Sequence, residues 1–171
     1  MDTLDYSGFT PLMHAVRKED LDGVKLLLKA GSEANLEVLS ISPIHVAAEY
    51  GNVTMIRFLL EVGADPEMLD LNENKPLHMA AKAGNIERVR ELVDFGVDVE
   101  SINDGATPLH LAAAGGHFEV SQMPVGAGLD TNVSDQMSST PLHAAAKAGD
   151  LRTLDFLIKR GAGFRAVGDK K

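Results

Sequence analysis

No cysteine occurs among the 171 residues. That excludes disulfides, a thiol nucleophile and any zinc site built on cysteine, and it suits a reducing compartment such as cytoplasm or nucleus without requiring one. No apolar run is long enough to span a bilayer. The opening Met1-Asp2-Thr3-Leu4-Asp5 lacks the basic segment and apolar stretch of a secretory signal. No cluster of Lys and Arg exceeds two residues, and the formal net charge is −9. Such a surface repels phosphate backbones and anionic lipid, so nucleic acid and membrane are poor partners. The glycines form no Gly-x-Gly-x-x-Gly or Walker-type loop, and no histidine pair has zinc-site spacing. No metal, cofactor or catalytic role is therefore expected. The length fits one domain, residues 1–171, of ordinary globular composition.

What is present is repetition. Thr107-Pro108-Leu109-His110-Leu111-Ala112-Ala113 returns as Thr140-Pro141-Leu142-His143-Ala144-Ala145-Ala146. It returns with changes as Lys75-Pro76-Leu77-His78, as Ser42-Pro43-Ile44-His45 and, more loosely, as Thr10-Pro11-Leu12-Met13-His14. The copies open at Thr10, Ser42, Lys75, Thr107 and Thr140. The first and third steps between them are each one residue shorter than the second and fourth. A period in this range marks a stacked array, because one unit cannot hide its own apolar face.

Each unit reads as two short antiparallel helices. The opening Thr or Ser can accept a bond from a free amide at the helix start, and proline follows where its missing N–H is harmless. Gly51, Gly84, Gly116 and Gly149, at one fixed offset from the opening residue, can end the first helix in the left-handed conformation. Asp20, Asn52, Asn85, His117 and Asp150 then open the second helix, and most are good caps. Apolar residues follow at helical spacing: Leu21, Val24, Leu26, Leu27 and Leu28 in the first unit, Val53, Ile56, Phe58, Leu59 and Leu60 in the second, and Leu151, Leu154, Phe156, Leu157 and Ile158 in the fifth. Gly31, Gly63, Gly96, Gly128 and Gly161 close the second helices. The expected fold is an all-α solenoid of about five helix-turn-helix units joined by hairpin loops.

These copies resemble the ankyrin repeat family, whose hallmark is Thr-Pro-Leu-His-x-Ala in a unit of about 33 residues, and the resemblance runs from about Asp5 to Phe164. It implies a non-enzymatic module that binds another protein through a concave face of hairpin tips and first helices. The alternative is a regulatory or targeting domain cut from a larger protein such as an enzyme or channel. Mapped by motif position, the partner-binding candidates are Tyr6, Phe9, Arg17, Lys18, Val38, Leu39, Ile41, Glu49, Tyr50, Leu71 and Lys82. Ser7 and Asp104 lie at the same kind of position. Units four and five offer mostly small or polar groups there. Val38, Leu39 and Ile41 have a second reading, as packing between neighbouring hairpins. The histidines of the motif are expected to bond their local turn and join neighbouring units. Asn35 sits where the family allows side-chain hydroxylation, although a hairpin-building role is the plainer reading.

Three departures from the pattern stand out. Lys75 replaces the opening hydroxyl and should deprive the third unit of its cap. Ser121, Pro124 and Gly126 fall inside the second helix of the fourth unit and should kink or shorten it, since interior proline costs about 3 kcal/mol or more. The first unit has no unit before it, and Phe164 has little after it to cover it. The chain is thus expected to be monomeric, with end-to-end self-association or origin in a longer array as further options.

Overall fold

In a computed structural model, residues 3–6, 8–103 and 105–163 are described. Ser7, Asp104 and Phe164 lie outside that range. The described residues form ten helices in five pairs: α1 (Pro11–Arg17) with α2 (Leu21–Lys29), α3 (Pro43–Tyr50) with α4 (Val53–Glu61), α5 (Pro76–Ala83) with α6 (Ile86–Phe95), α7 (Pro108–Ala114) with α8 (Phe118–Gly126), and α9 (Pro141–Ala148) with α10 (Leu151–Lys159). The first helices pack on one another in one row, α1, α3, α5, α7, α9, and α4, α6, α8 and α10 form a second row behind them. The all-α solenoid expected from the repeat is what forms.

The first-helix row packs tightly because its facing residues are small. Ala47, Ala48, Ala80, Ala81, Ala112 and Ala113 are fully buried. Between the rows lie Ile44, Met55, Ile56, Leu59, Leu77 and Leu92, also fully buried, each contributing roughly 1.5–3 kcal/mol of apolar burial. Not every residue of the second-helix stripes is core. Leu26, Leu151 and Ile158 are exposed.

The motif histidines lock unit to unit. His45 Nε2 lies 3.1 Å from the carbonyl of Asn74, His78 Nε2 3.0 Å from that of Ser101, and His110 Nε2 3.0 Å from that of Ser139. A carbonyl only accepts, so each Nε2 carries the hydrogen and donates, and Nδ1 is left as an acceptor. Each Nδ1 takes the backbone N–H of its own opening residue, Ser42, Lys75 or Thr107. The rings are buried, and burial pushes their pKa values down, for His78 to about 4. Among the described residues His143 bonds Thr140 alone.

The caps are less uniform than the motif suggests. Thr10 accepts from the Met13 amide as expected. The hydroxyls of Ser42, Thr107 and Thr140 sit in a capping box with the histidine three residues on, 2.8–2.9 Å from its Nδ1. Lys75 has no acceptor to offer, and its ammonium pairs with Glu67 at 2.6 Å instead. Gly84, Gly116 and Gly149 are left-handed as expected, but Gly51 is extended (φ −76°, ψ −173°). Its missing side chain matters for another reason: a Cβ there would meet the Ala47 carbonyl oxygen at 2.8 Å. In the first unit the left-handed position falls on Glu19 (φ 58°).

α8 is not shortened. It runs nine residues, as α4 and α10 do, with Pro124 inside it. What the fourth unit loses is packing and capping. Ser121 and Pro124 occupy the places held in the other units by Ile56, Val89 and Leu154 and by Leu59, Leu92 and Leu157. The buried Ser121 hydroxyl turns back to the His117 carbonyl, and His117 gives α8 no side-chain cap. The core divides at this unit. Ala112 and Val120 belong to the cluster of units one to three, whereas Leu109 and Ala113 belong to a second cluster with Leu142, Ala145 and Leu157.

Hairpins come in two kinds, and the alternating step length explains them. The loops from Gly31 to Ser42 and from Gly96 to Thr107 are each one residue shorter than those from Gly63 to Lys75 and from Gly128 to Thr140. The longer loops carry an aspartate five before the opening residue. Asp70 Oδ1 accepts the amides of Asn72 and Asn74, and Asp135 Oδ1 those of Met137 and Ser139, all at 2.8–2.9 Å. Asp5 takes the Phe9 amide in the same way. The shorter loops lack that aspartate and close by an antiparallel bridge, Val38 with Ile41 and Asn103 with Ala106.

Candidate functional site

The face made by hairpin tips and first helices collects most of the expected contact residues. Tyr6 is fully exposed on the first tip, and Leu39 (66% exposed) and Leu71 (71%) project from the second and third. Arg17, Lys18 and Lys82 are exposed on the first helices or at their ends. Phe9, Val38 and Ile41 are half-buried against the core cluster of the first three units. For Val38 and Ile41, whose backbones also form the bridge, packing between hairpins accounts for the side chain.

Around Tyr50 the first two units are joined by side chains. Tyr50 is 44% exposed at the end of α3. The Arg17 guanidinium lies 5.1 Å from its ring centre and 5.9 Å from that of Phe9, a geometry in which cation and ring attract. A hydrogen bond to the Glu49 carboxylate pushes the Tyr50 hydroxyl pKa up. Phe9 leans on His14 at 5.5 Å, and His14 meets Asp5 at 2.7 Å. The ring thus lies against the Arg17 guanidinium while much of the side chain stays open. Next to it, between units two and three, lies a groove of about 440 Å³ lined by Ile41, Glu49, Asp70, Asn74, Met79 and Lys82. It brings together Ile41 and Glu49 of the second unit with Lys82 of the third.

One residue escaped the sequence reading. Arg88 reaches from α6 to the end of α3, where its guanidinium donates to the carbonyls of Ala48, at 2.8 Å, and Glu49. It thereby fixes the turn that carries Tyr50. The only signal for it was an Arg where the matching position elsewhere is Gly23, Met55, Val120 or Thr153. Exposed apolar residues continue past the third unit as Ile102 and Met137, among tip groups that are otherwise mostly small or polar. Asn35 bridges units, donating to the Gly63 carbonyl at 2.9 Å and accepting the Asp65 amide at 2.8 Å. Asn132 does the same to Gly161 and Gly163. That supports the hairpin-building role of Asn35.

Residues 44–135 match the family model for ankyrin repeats in three copies, and residues 7–40 and 138–169 each match the single ankyrin repeat. Among curated relatives, a yeast (Saccharomyces cerevisiae) probable 26S proteasome regulatory subunit, p28, is 32% identical over 95% of this chain and 59% of its own length. The human transient receptor potential cation channel subfamily A member 1 is 33% identical over 93% of this chain and 15% of its own length. A mouse protein phosphatase 1 regulatory subunit 12A is 44% identical over 54 residues, 32% of this chain and 5% of that protein. The chain thus spans about three-fifths or less of the length of these relatives. Among the described residues no helix is long and apolar enough to cross a membrane. Five paired-helix units, four of them joined by the motif histidines His45, His78 and His110, and family models that between them take in most of the sequence, lead to one conclusion: this chain belongs to the ankyrin repeat family.

Proposed function

We propose that the chain is a non-enzymatic module that binds a partner protein through the hairpin tips and first helices of units one to three, acting in the cytoplasm or nucleus. The observation that carries this is Tyr50. Its ring is backed by the Arg17 guanidinium and keeps an open face, and its neighbour Glu49 lines a groove. An aromatic ordered in advance loses little freedom on binding, and aromatics dominate interface hot spots. The regulatory-subunit names of two relatives support a partner-binding role by analogy. The embedded histidines speak against catalysis, because His45, His78 and His110 spend both ring nitrogens on backbone.

A second reading, a regulatory or targeting portion of a larger protein such as an enzyme or channel, draws support from the small share of the channel and phosphatase-subunit relatives that this chain matches. The test is affinity capture from cell lysate, comparing the chain with a Tyr6→Ala/Tyr50→Ala variant. Phe9 is left intact because it packs on the core. Loss of a captured protein with the fold unchanged supports the reading. An identical captured set for both proteins removes Tyr50 from the interface.

A further inference from the structure

The stretches from each closing glycine to the next opening residue, residues 31–41, 63–74, 96–106 and 128–139, hold eleven of the 25 acidic residues and none of the 16 Lys and Arg. The basic residues of units one to five lie on helices or at a helix end, as Lys18, Lys75 and Arg160 do. The hairpin edge of the stack therefore carries charge of one sign. Some of its carboxylates build loops, as Asp65, Asp98 and Asp130 do by accepting the amide two residues on. Glu33, Glu37, Glu73 and Glu100 do not. Their side chains are exposed and enter no ion pair among the described residues.

Interleaved with this charge are apolar residues in every unit. Tyr6, Leu39, Leu71, Ile102 and Met137 are all exposed on the hairpins or beside them, from 62% upward. Leu39 is also held in the left-handed backbone region, φ 48°, followed by Ser40 at φ 58°. Leucine is a costly choice there, since branched side chains crowd the backbone at positive φ. Its methyl group lies over Gly8 of the neighbouring tip, yet most of its surface remains open. A strained, exposed leucine adds little to the stability of the stack, and strain of this kind gathers at binding sites.

We infer that this edge docks a lysine- or arginine-rich segment of a partner protein that carries apolar side chains between its basic ones. Apolar side chains sit against the tips, and ammonium or guanidinium groups meet Glu33, Glu37, Glu73 and Glu100. Charge complementarity selects this occupant. Acidic and neutral apolar segments leave those four carboxylates either opposed by like charge or stripped of water without a counter-ion, both of which are unfavourable. The inference rests on the partner-binding reading and narrows it to a chemical class.

The test uses labelled peptides and fluorescence anisotropy on the full chain. The probe is four Lys-Leu-Lys-Ser blocks, with Lys-Ser-Lys-Ser and Glu-Leu-Glu-Ser blocks as comparisons. Two variants remove the same charge from different places: Glu33, Glu37, Glu73 and Glu100→Gln on the edge, and Asp22→Asn, Glu61→Gln, Glu87→Gln and Asp94→Asn on the second helices. A third replaces Leu39, Leu71 and Met137 by Ser. The edge-charge variant is expected to weaken the Lys-Leu probe at least about fivefold and to reduce its salt dependence, and the second-helix variant to change it less than about twofold. The Ser variant should weaken it at least about fivefold while leaving the salt dependence unchanged. Equal weakening by both charge variants means attraction to net charge alone, and overturns the inference. So does indifference to the apolar tips. A concentration-dependent dimer of the chain, dispersed by the edge variant, would seat a second copy here and overturn it too. Capture of a Tyr50-dependent partner without preference for the Lys-Leu probe sinks this inference alone, whereas no Tyr50-dependent capture at all sinks the binding reading beneath it.

Discussion

Replacing Pro124 by leucine should stabilise the protein, and the amount can be worked from the stack itself. The matching positions are Leu59, Leu92 and Leu157, each fully buried in its own helix. Pro124 is buried as well, so leucine enters an interior site and not a surface one. Leucine supplies the amide that proline lacks, restoring the bond to the Val120 carbonyl and removing the ring's clash with it, together about 3 kcal/mol. One further buried carbon adds about 0.8 kcal/mol. A protein of this size shifts by roughly 2–4 °C per kcal/mol, so the melting temperature should rise by at least about 6 °C. The assay is urea and thermal unfolding followed by helical circular dichroism, with amide exchange over residues 118–126 read beside residues 53–61. In the parent chain the first stretch should exchange faster, and in the variant the gap should narrow. An unchanged or lowered midpoint would refute the reasoning. It would mean that Val120, Met123 and their neighbours have closed around the proline ring, leaving leucine overpacked.

Lys75→Thr should gain about 0.5–2 kcal/mol from a restored cap and lose about 0–1 from the Glu67 pair, so the gain in urea midpoint should be larger at high salt; no gain at high salt counts against the capping argument. Leu39→Asn with Ser40→Gly should raise stability by about 1–2 kcal/mol, because both turn residues have positive φ; a fall in midpoint would show that Leu39 is needed over Gly8. Tyr50→Ala should weaken a captured native partner at least about tenfold and shift stability by no more than about 0.5–1 kcal/mol, the latter from the exposed Arg17 contact; the reverse pattern makes Tyr50 a packing residue. Folded His78 keeps its neutral ring down to about pH 4, while the unfolded chain protonates near 6.5. Stability should therefore be full above pH 6.5 and fall as pH drops toward 4, by roughly 3 kcal/mol for this group, with His45 and His110 acting in the same direction. A flat profile across that window contradicts the buried neutral ring.

The repeat made the fold legible. Thr-Pro-Leu-His with glycine at fixed offsets marks both helix starts and both helix ends, and all five closing glycines do take the left-handed conformation. The site was legible only in outline. Motif position tells which residues lie at the tips, but not which of them turn inward, so Val38 and Ile41 read the same as Leu39 although only Leu39 faces outward. The Tyr50 cluster depends on Arg17, Glu49 and Arg88 arriving from three helices, α1, α3 and α6, and contacts between units leave no local pattern. The expected shortening at Pro124 did not follow, for a related reason. Helix propensity is a local quantity, whereas α8 is held to nine residues by the helices stacked on it.

The two hairpin kinds mean that the smallest part of this stack that can be moved without consequence is not the unit but the pair. Thr10, Lys75 and Thr140 are evenly spaced, and Ser42 and Thr107 stand the same distance apart. The aspartate-headed loops recur at that two-unit interval, with the bridged ones between them. Cutting out a single unit would set two loops of one kind side by side, against neighbours whose histidines expect the other: His45 and His110 seek the carbonyl just before the next opening residue, whereas His78 seeks one five residues earlier. Cutting out or inserting a whole pair preserves every such pairing. A shortened or lengthened version of this protein should therefore be built in twos, and the odd-numbered edits are the ones that should fail to stack.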